Sequence, residues 1–289
     1  MASAWRGGVM AMIGGDAGTP HWVSLGGSSL HELWRVDVAG ASYFVKANVA
    51  SKLPMLQAEA DGLRELAQAK AIRVPVPAAC GKAHGISFLA LEWLDLVSGG
   101  RDATLGRALA QLHKTTSDQF GWYRDNTIGT TPQSNAWCGD WAEFFRDCRI
   151  APQLRLARRH GHRTLNLAGD LLLERVPAML DGHTPMPSLV HGDLWSGNAA
   201  RLARGEPVIF DPACYFGDRE TDIAMAELFG GFDDSFFAAY HELWPADAGY
   251  PVRRTLYNLY HVLNHLNLFG AGYLARAEAM IGELIAEVR

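Results

Sequence analysis

Strand-like runs dominate the first third of the chain and helix-like runs the rest. Trp22-Val23-Ser24-Leu25 reads as a strand entering Gly26-Gly27-Ser28-Ser29. A second strand, about Leu30 to Val38, turns at Ala39-Gly40, and Tyr43-Phe44-Val45-Lys46 returns. Leu56, Ala60, Leu63 and Ala67 then recur at helical spacing. Val74-Pro75-Val76-Pro77 ends that helix, and Ile86 to Leu91 is an apolar run of buried-strand length. Beyond Ser98-Gly99-Gly100 the apolar positions mark helices. They are Leu105 to Leu112 behind a cap at Asp102 or Thr104, Phe144 to Cys148 behind the capping box Asp140 to Glu143, Leu165 to Leu180, Ile223 to Phe229, Ser235 to Leu243, Val252 to Phe269 and Leu274 to Val288. Mixed β followed by helical order predicts an α+β chain of two unequal lobes. Residues 1–95 form the β-rich one with a single main helix, and residues 96–289 the mainly helical one. Residues 1–20, rich in Gly and Ala, are expected to be loosely ordered.

Composition narrows the partners. With 289 residues, 48% hydrophobic and 20% charged, the chain has the make-up of a soluble globular protein with room for two lobes. A net charge of −5 and a pI near 6.1 argue against a nucleic-acid partner and against an anionic membrane. The apolar run Val9 to Ile13 is too short for a secretory core or a membrane span. Cys80, Cys138, Cys148 and Cys214 form no C-x-x-C pair, which fits reduced thiols in the cytoplasm rather than a zinc or disulfide framework.

The chemistry is concentrated in Leu189-Val190-His191-Gly192-Asp193-Leu194-Trp195-Ser196-Gly197-Asn198 and in the apolar run Val208-Ile209-Phe210 that delivers Asp211. Phosphoryl transfer from ATP needs these residue types: a carboxylate for the attacking hydroxyl, and an amide oxygen with a second carboxylate for magnesium. Asp193 is the expected base, and Asn198 and Asp211 the expected Mg2+ ligands. Lys46 closes an aromatic strand. It is either an edge lysine in water or the lysine that holds ATP phosphates. Glu59 lies on the apolar face of the next helix, where a carboxylate is costly without a partner, and Lys46 is the natural one. Gly26, Gly27 and Ser28 form either a plain hairpin turn or a glycine turn that covers phosphates, since without Cβ the backbone can approach them. Glu92, Trp93, Leu94 and Asp95 fall where a hinge between the lobes could read an adenine edge with its backbone. His191 and Asp222 read as braces of the catalytic loop, and His113 as a packed or capping histidine. His261 and His265, four apart on a helix, have metal-compatible spacing, but with no third ligand motif they read as core or groove histidines. Phe120 to Trp137 reads as a polar and aromatic loop, either structural or shaping a substrate pocket.

Glycine turn, strand lysine, helix glutamate, H-G-D-x-x-x-x-N and strand-borne Asp together resemble the protein-kinase-like fold, whose H-G-D members include aminoglycoside phosphotransferases and choline kinases. His191 to Asn198, Asp211-Pro212-Ala213-Cys214-Tyr215, Gly217-Asp218-Arg219-Glu220, Thr131-Pro132-Gln133 with Asn135 and Trp137, and Leu256 to Tyr260 with Leu263-Asn264 more closely resemble the fructosamine kinase (ketosamine-3-kinase) family. The resemblance runs from about Leu25 to Ala277. It implies ATP-dependent phosphorylation of the 3-hydroxyl of a ketosamine, small or protein-bound, which destabilises the adduct and releases the amine. Trp195 would then be a wall for the sugar or packing within its loop. Asp218 and Glu220 would lie near the substrate amine or on a solvated turn. An aminoglycoside- or choline-type phosphotransferase and a non-catalytic nucleotide-binding pseudokinase are the alternatives. Pro-Ala follows Asp211 where protein kinases carry Phe-Gly, so their switching at that position does not carry over.

Overall fold

A computed structural model of the chain describes residues 4–14, 18–27 and 30–288; Ser28 of the glycine turn lies outside them. The chain divides into two compact units. One comprises the residues up to Gly100 together with Ala199–Pro212, the other Arg101–Asn198 together with the residues from Ala213 onward. This differs from a single cut after Asp95. Leu96–Val97 pairs with Ala199–Leu202, which pairs in turn with Pro207–Ile209, so backbone hydrogen bonds tie the late hairpin to the first unit.

In the first unit β1 (His21–Gly27), β2 (Glu32–Val38), β3 (Ala41–Val49), β4 (Pro77–Ala83) and β5 (Ile86–Glu92) form an antiparallel sheet in the order β1-β2-β3-β5-β4. Side chains alternate between its faces. Val36, Val38, Val45, Ala47, Phe88 and Ala90 pack on one face against Trp5, Val9 and Met10 of helix α1 (Ala4–Ile13). The expectation of loose order over residues 1–20 is therefore corrected for Ala4–Ile13. Trp5 and Val9, four apart, turn one face of α1 onto the sheet, and the Trp5 ring meets Trp22 and Trp34 at 5.4 and 6.5 Å. Gly8 is needed for this approach, since a Cβ there would lie 2.3 Å from that of Ala83. Lys46 projects from the other face, where α2 (Leu53–Gln68) supplies Glu59.

The second unit is helical: α3 (Ala103–Leu112), α4 (Trp141–Phe145), α5 (Ala151–Arg159), α6 (Leu165–Met179), α7 (Glu220–Leu228), α8 (Asp234–His241), α9 (Tyr250–Phe269) and α10 (Leu274–Glu287). The expected caps form: Asp102 accepts the Thr104 N–H, and Asp140 accepts the Glu143 N–H. α9 is the axis of the unit, with α5, α7 and α10 packed around it and Leu256, Tyr257, Leu259, Tyr260, Leu263 and Leu266 buried along it. An antiparallel ribbon pairs Ser188–Val190 with Tyr215–Gly217 and delivers the chain directly to His191. No helix among the described residues is long and apolar enough to cross a membrane.

Candidate functional site

In the first unit the sheet and the late hairpin bring Lys46, Glu59 and Asp211 together. Lys46 Nζ donates to Glu59 Oε1 at 2.7 Å and to Asp211 Oδ1 at 2.5 Å. Burial alone would push the Lys46 ammonium down, but the two carboxylates outweigh it and hold its pKa above the usual lysine value. Asp211, just past Pro207–Ile209, has φ +57, a conformation that a non-glycine residue rarely holds outside special sites. Its carboxylate stays 46% exposed despite the bond to Lys46. Gly26 has φ +92 and sits at a bulge in the β1–β2 pairing, so the strand end needs a glycine there.

Glu92 ends β5 and Trp93 to Asp95 follow it, and the side chains of Glu92, Trp93 and Asp95 are used within the unit. Glu92 accepts from Arg73 at 2.5 Å and from the Val76 N–H at 2.7 Å. The Trp93 N–H donates to the Ser42 carbonyl, its indole N–H donates to Asp95 at 2.8 Å, and Arg35 lies 4.5 Å from its ring centroid. The Trp93 amide is therefore committed to the sheet, and Leu94 is half-buried beside it.

The second unit carries the loop from His191 to Asn198, which hangs on one carboxylate. Asp222, 1% exposed, accepts the backbone N–H of His191 at 2.7 Å and of Gly192 at 2.9 Å, and the Nε2 of His113 at 3.2 Å. Burial raises the pKa of such a carboxyl, yet these hydrogen bonds and the neighbouring histidines bring Asp222 below the ordinary value. His113 is in turn 2.8 Å from the Tyr240 hydroxyl through Nδ1. His113 is thus a packed histidine, as its position in the chain suggested, and it contacts the carboxylate that holds the loop, while His191 Nδ1 accepts the Asp193 N–H at 3.3 Å. Asn198 Nδ2 donates to the Asp193 carbonyl at 2.9 Å and to its carboxylate at 3.1 Å. That orientation turns the amide nitrogen to Asp193 and leaves Oδ1 as the atom suited to a cation. Trp195 is 41% exposed, and its ring lies over Gly197, where a Cβ would fall 2.2 Å from it. The Trp-Ser-Gly string therefore has a packing reason.

Gly192 has φ +80, and a Cβ on it would lie 2.3 Å from the Ala213 carbonyl. Gly192→Ala should cost about 2 kcal/mol in urea unfolding and displace the neighbouring Asp193. An unchanged unfolding midpoint would show that the loop tolerates the side chain.

Two expectations are corrected. Asp218 is neither on a solvated turn nor open to a substrate amine. It is 1% exposed and accepts from His183 at 2.7 Å, from the Tyr257 hydroxyl at 2.6 Å and from the Glu220 N–H at 3.0 Å. Burial would raise its pKa, but His183 and Tyr257 carry it below the usual value. Glu220 is likewise buried, with Arg253 donating to both of its oxygens at 2.7 and 3.0 Å. The ligand atoms of His183, Asp218 and Glu220 do lie within 4.8 Å of one another, but with Arg253 in place they form an ion-pair network.

Phe120 to Trp137 contains a hairpin, Asn126–Ile128 with Thr131–Gln133, and Asn126, Thr131, Gln133 and Asn135 are buried. Asn126 donates to the Cys214 carbonyl, Gln133 to the Ala213 carbonyl, and Asn135 accepts from the fully buried Arg149. Asn126 and Gln133 thereby hold the backbone that follows Pro212. Alternating Asn and Gln among aromatic residues was the available signal, and Arg149 had none. His265 Nδ1 is 2.8 Å from the His261 carbonyl, and burial lowers the His261 imidazole to about 3. The two are packed histidines of α9.

The profile of the fructosamine kinase family matches residues 11–287. A Synechocystis protein named "Probable ketoamine kinase" is 47% identical over 265 residues, covering 91% of this chain and 89% of that one. The chloroplastic protein-ribulosamine 3-kinase of Arabidopsis thaliana is 42% identical over 267 residues, covering 91% and 82%. The crystal structure of a "Putative fructosamine-3-kinase" from Haemophilus somnus superposes with a TM-score of 0.87 at 31% identity, covering 96% of this chain and 95% of that one. An aminoglycoside phosphotransferase structure in complex with ADP and hygromycin B, 17% identical with a TM-score of 0.64, shares the protein-kinase-like fold. From the first strand to the last helix, then, this chain belongs to the fructosamine kinase family.

Proposed function

We propose that this chain transfers the terminal phosphoryl group of ATP to the 3-hydroxyl of a ketosamine, a fructosamine or ribulosamine type of glycation adduct. The observation that carries the ATP half is the buried Lys46 held between Glu59 and Asp211, the cation and carboxylate set that phosphoryl transfer uses. The ketosamine half is supported by the names of the relatives, ketoamine kinase and ribulosamine 3-kinase.

The roles follow from the chemistry of each group. The first unit binds nucleotide: Lys46, fixed by Glu59, takes phosphate oxygens, Gly26, Gly27 and Ser28 cover them, and Glu92 to Asp95 border the adenine. The second unit supplies Asp193, which accepts the proton of the attacking hydroxyl and aligns its oxygen. Asn198 and Asp211 offer amide and carboxylate oxygens, the hard donors that magnesium prefers. Bound magnesium would neutralise phosphate charge. The exposed face of Trp195 is a surface on which a sugar can lie. A phosphate on C3, next to the C2 carbonyl, is a leaving group: once C1 gives up a proton to form the enaminol, phosphate is eliminated from C3, the nitrogen is left as a C1=N imine, and water hydrolyses that imine to free the amine. Reduced thiols and the absence of a C-x-x-C pair favour a cytoplasmic setting.

The test is ADP formation with synthetic ribulosamine and fructosamine, with and without magnesium, followed by an assay for released amine. Magnesium-dependent turnover on at least one ketosamine is expected. Turnover on an aminoglycoside or choline with none on ketosamines would overturn the substrate assignment. Stabilisation by ATP without turnover on any sugar amine would make the protein a pseudokinase.

A further inference from the structure

The end of α9 carries an aromatic cluster that the roles above do not use. The His265 ring lies among those of Phe229, Phe269 and Tyr273, with centroids 5.0, 5.3 and 5.2 Å away. Phe269 stands four residues after His265 on the helix, which sets the two side chains over one another. Phe229 comes from the end of α7. Phe269 is 58% exposed and Phe229 39%, so rings in mutual contact form an apolar patch at the surface.

This patch adjoins the catalytic loop within the same unit. Two residues beyond Phe229, Gly231 comes so close to Ser196 that a Cβ on it would lie 2.7 Å from that side chain. Arg101 donates to the Gly231 carbonyl at 2.6 Å and to the Ser196 carbonyl at 3.0 Å, which joins the two segments. The exposed Trp195 is the neighbour of Ser196.

His265 gives the patch one polar atom. Its Nδ1 is 2.8 Å from the His261 carbonyl, which can only accept, so Nδ1 carries the proton. Burial holds the imidazole below its ordinary 6.5 in spite of that bond, with the exposed Arg276 a lesser cause. The ring is therefore neutral at pH 7, and Nε2 carries a lone pair. With Nδ1 turned back onto the backbone of α9, Nε2 points away from the helix. It has no hydrogen-bond partner among the described residues, and unlike His261 Nδ1 it is not sealed from solvent.

A ketosamine has three bonds between C3 and its amine nitrogen, and that secondary amine is largely protonated at pH 7. Asp218 and Glu220, the acidic groups expected near it, are buried in pairs of their own. Ring faces attract such a cation, and a bare imidazole nitrogen accepts its N–H. We propose that Phe229, His265 and Phe269 form the subsite for the amine end of the ketosamine, with the rings against the ammonium and His265 Nε2 accepting its N–H, while the sugar lies toward Trp195 and Asp193. This rests on the ketosamine reading of the reaction.

The experiment is steady-state kinetics of the wild type, Phe269→Leu, His265→Phe and His265→Gln on two substrates with one sugar: the ketosamine, and the ether in which oxygen replaces the amine nitrogen. The ether keeps the 3-hydroxyl and the C2 carbonyl and has no charge at that atom. The wild type should prefer the ketosamine by about ten-fold in kcat/KM. Phe269→Leu keeps apolar bulk and removes the ring; it should reduce that preference about five-fold, through KM for the ketosamine. His265→Phe keeps the ring and removes the acceptor, with a similar effect, and His265→Gln restores an acceptor oxygen and should recover part of it. The melting temperature of each variant checks its folding. A wild type that uses the ether as well as the ketosamine would overturn the proposal, and so would variants that keep the wild-type preference. A wild type that turns over neither substrate would overturn the ketosamine reading, and the subsite with it.

Discussion

Asp193→Asn is expected to lower kcat for ketosamine phosphorylation by about 10³-fold, within the range that a general base contributes. The substitution is nearly isosteric. An asparagine at 193 can still present an oxygen to Asn198 Nδ2, which now donates to the carboxylate at 3.1 Å. What it removes is the negative charge proposed to accept the hydroxyl proton. The proposed ATP-binding set of Lys46, Glu59 and Asp211 belongs to the other unit, so KM for ATP should stay within a few-fold of wild type. Steady-state kinetics with both substrates varied reads this split. Equal kcat in the two proteins would take Asp193 out of the mechanism, and a matched rise in KM for ATP would point to disturbed nucleotide binding instead. Because phosphoryl transfer is largely a matter of positioning, the residual rate in the variant measures what alignment alone achieves.

How far the sequence could be read depended on whether a residue's partners were implied by local rules. Lys46 and Glu59 were legible because a carboxylate on an apolar helix face demands a cation, and few cations were at hand. The caps at Asp102 and Asp140 were legible because their partners lie within three residues. Asp222 was legible as a brace because it stands in the first turn of the helix that follows these strings. Asp218 was not. Its string, Gly217-Asp218-Arg219-Glu220, looks like a solvated turn, and the groups that bury it, His183 and Tyr257, lie 35 and 39 residues away. α1 was missed for a related reason. Its glycines lower helix propensity, and only the sheet beneath Trp5 and Val9 repays that cost. The order of strands and helices, and hence the α+β architecture, came from periodicity; the polar interior came from pairings that periodicity does not encode.

Asp222→Ala should be the most damaging single change outside the reacting groups. The carboxylate receives donors from His191 N, Gly192 N and His113 Nε2, and it is fully buried. Alanine leaves all of these donors facing a void, so the loss should be about 3–5 kcal/mol, that of breaking a buried charged pair. In a unit of this size 3 kcal/mol lowers Tm by roughly 6–12 °C. Asp222→Asn should recover part of the loss, because an amide oxygen in the place of Oδ2 still accepts from the His191 N–H and faces His113, while the amide nitrogen is left against the Gly192 N–H. Catalysis should fall with stability, since the His191 and Gly192 amides lead directly into Asp193. Acid separates this role from simple packing. The folded-state pKa of Asp222 is depressed below the ordinary carboxyl value of 3.8. Its contribution is therefore complete above that value and is lost as pH falls through the lower folded-state one. The Tm difference between wild type and Asp222→Ala should be constant from pH 7 to about pH 5 and should narrow below about pH 4. Melting curves of both proteins across that range decide it. A gap that persists unchanged into strong acid would mean that Asp222 fills space at this position and that its charge does not hold the loop.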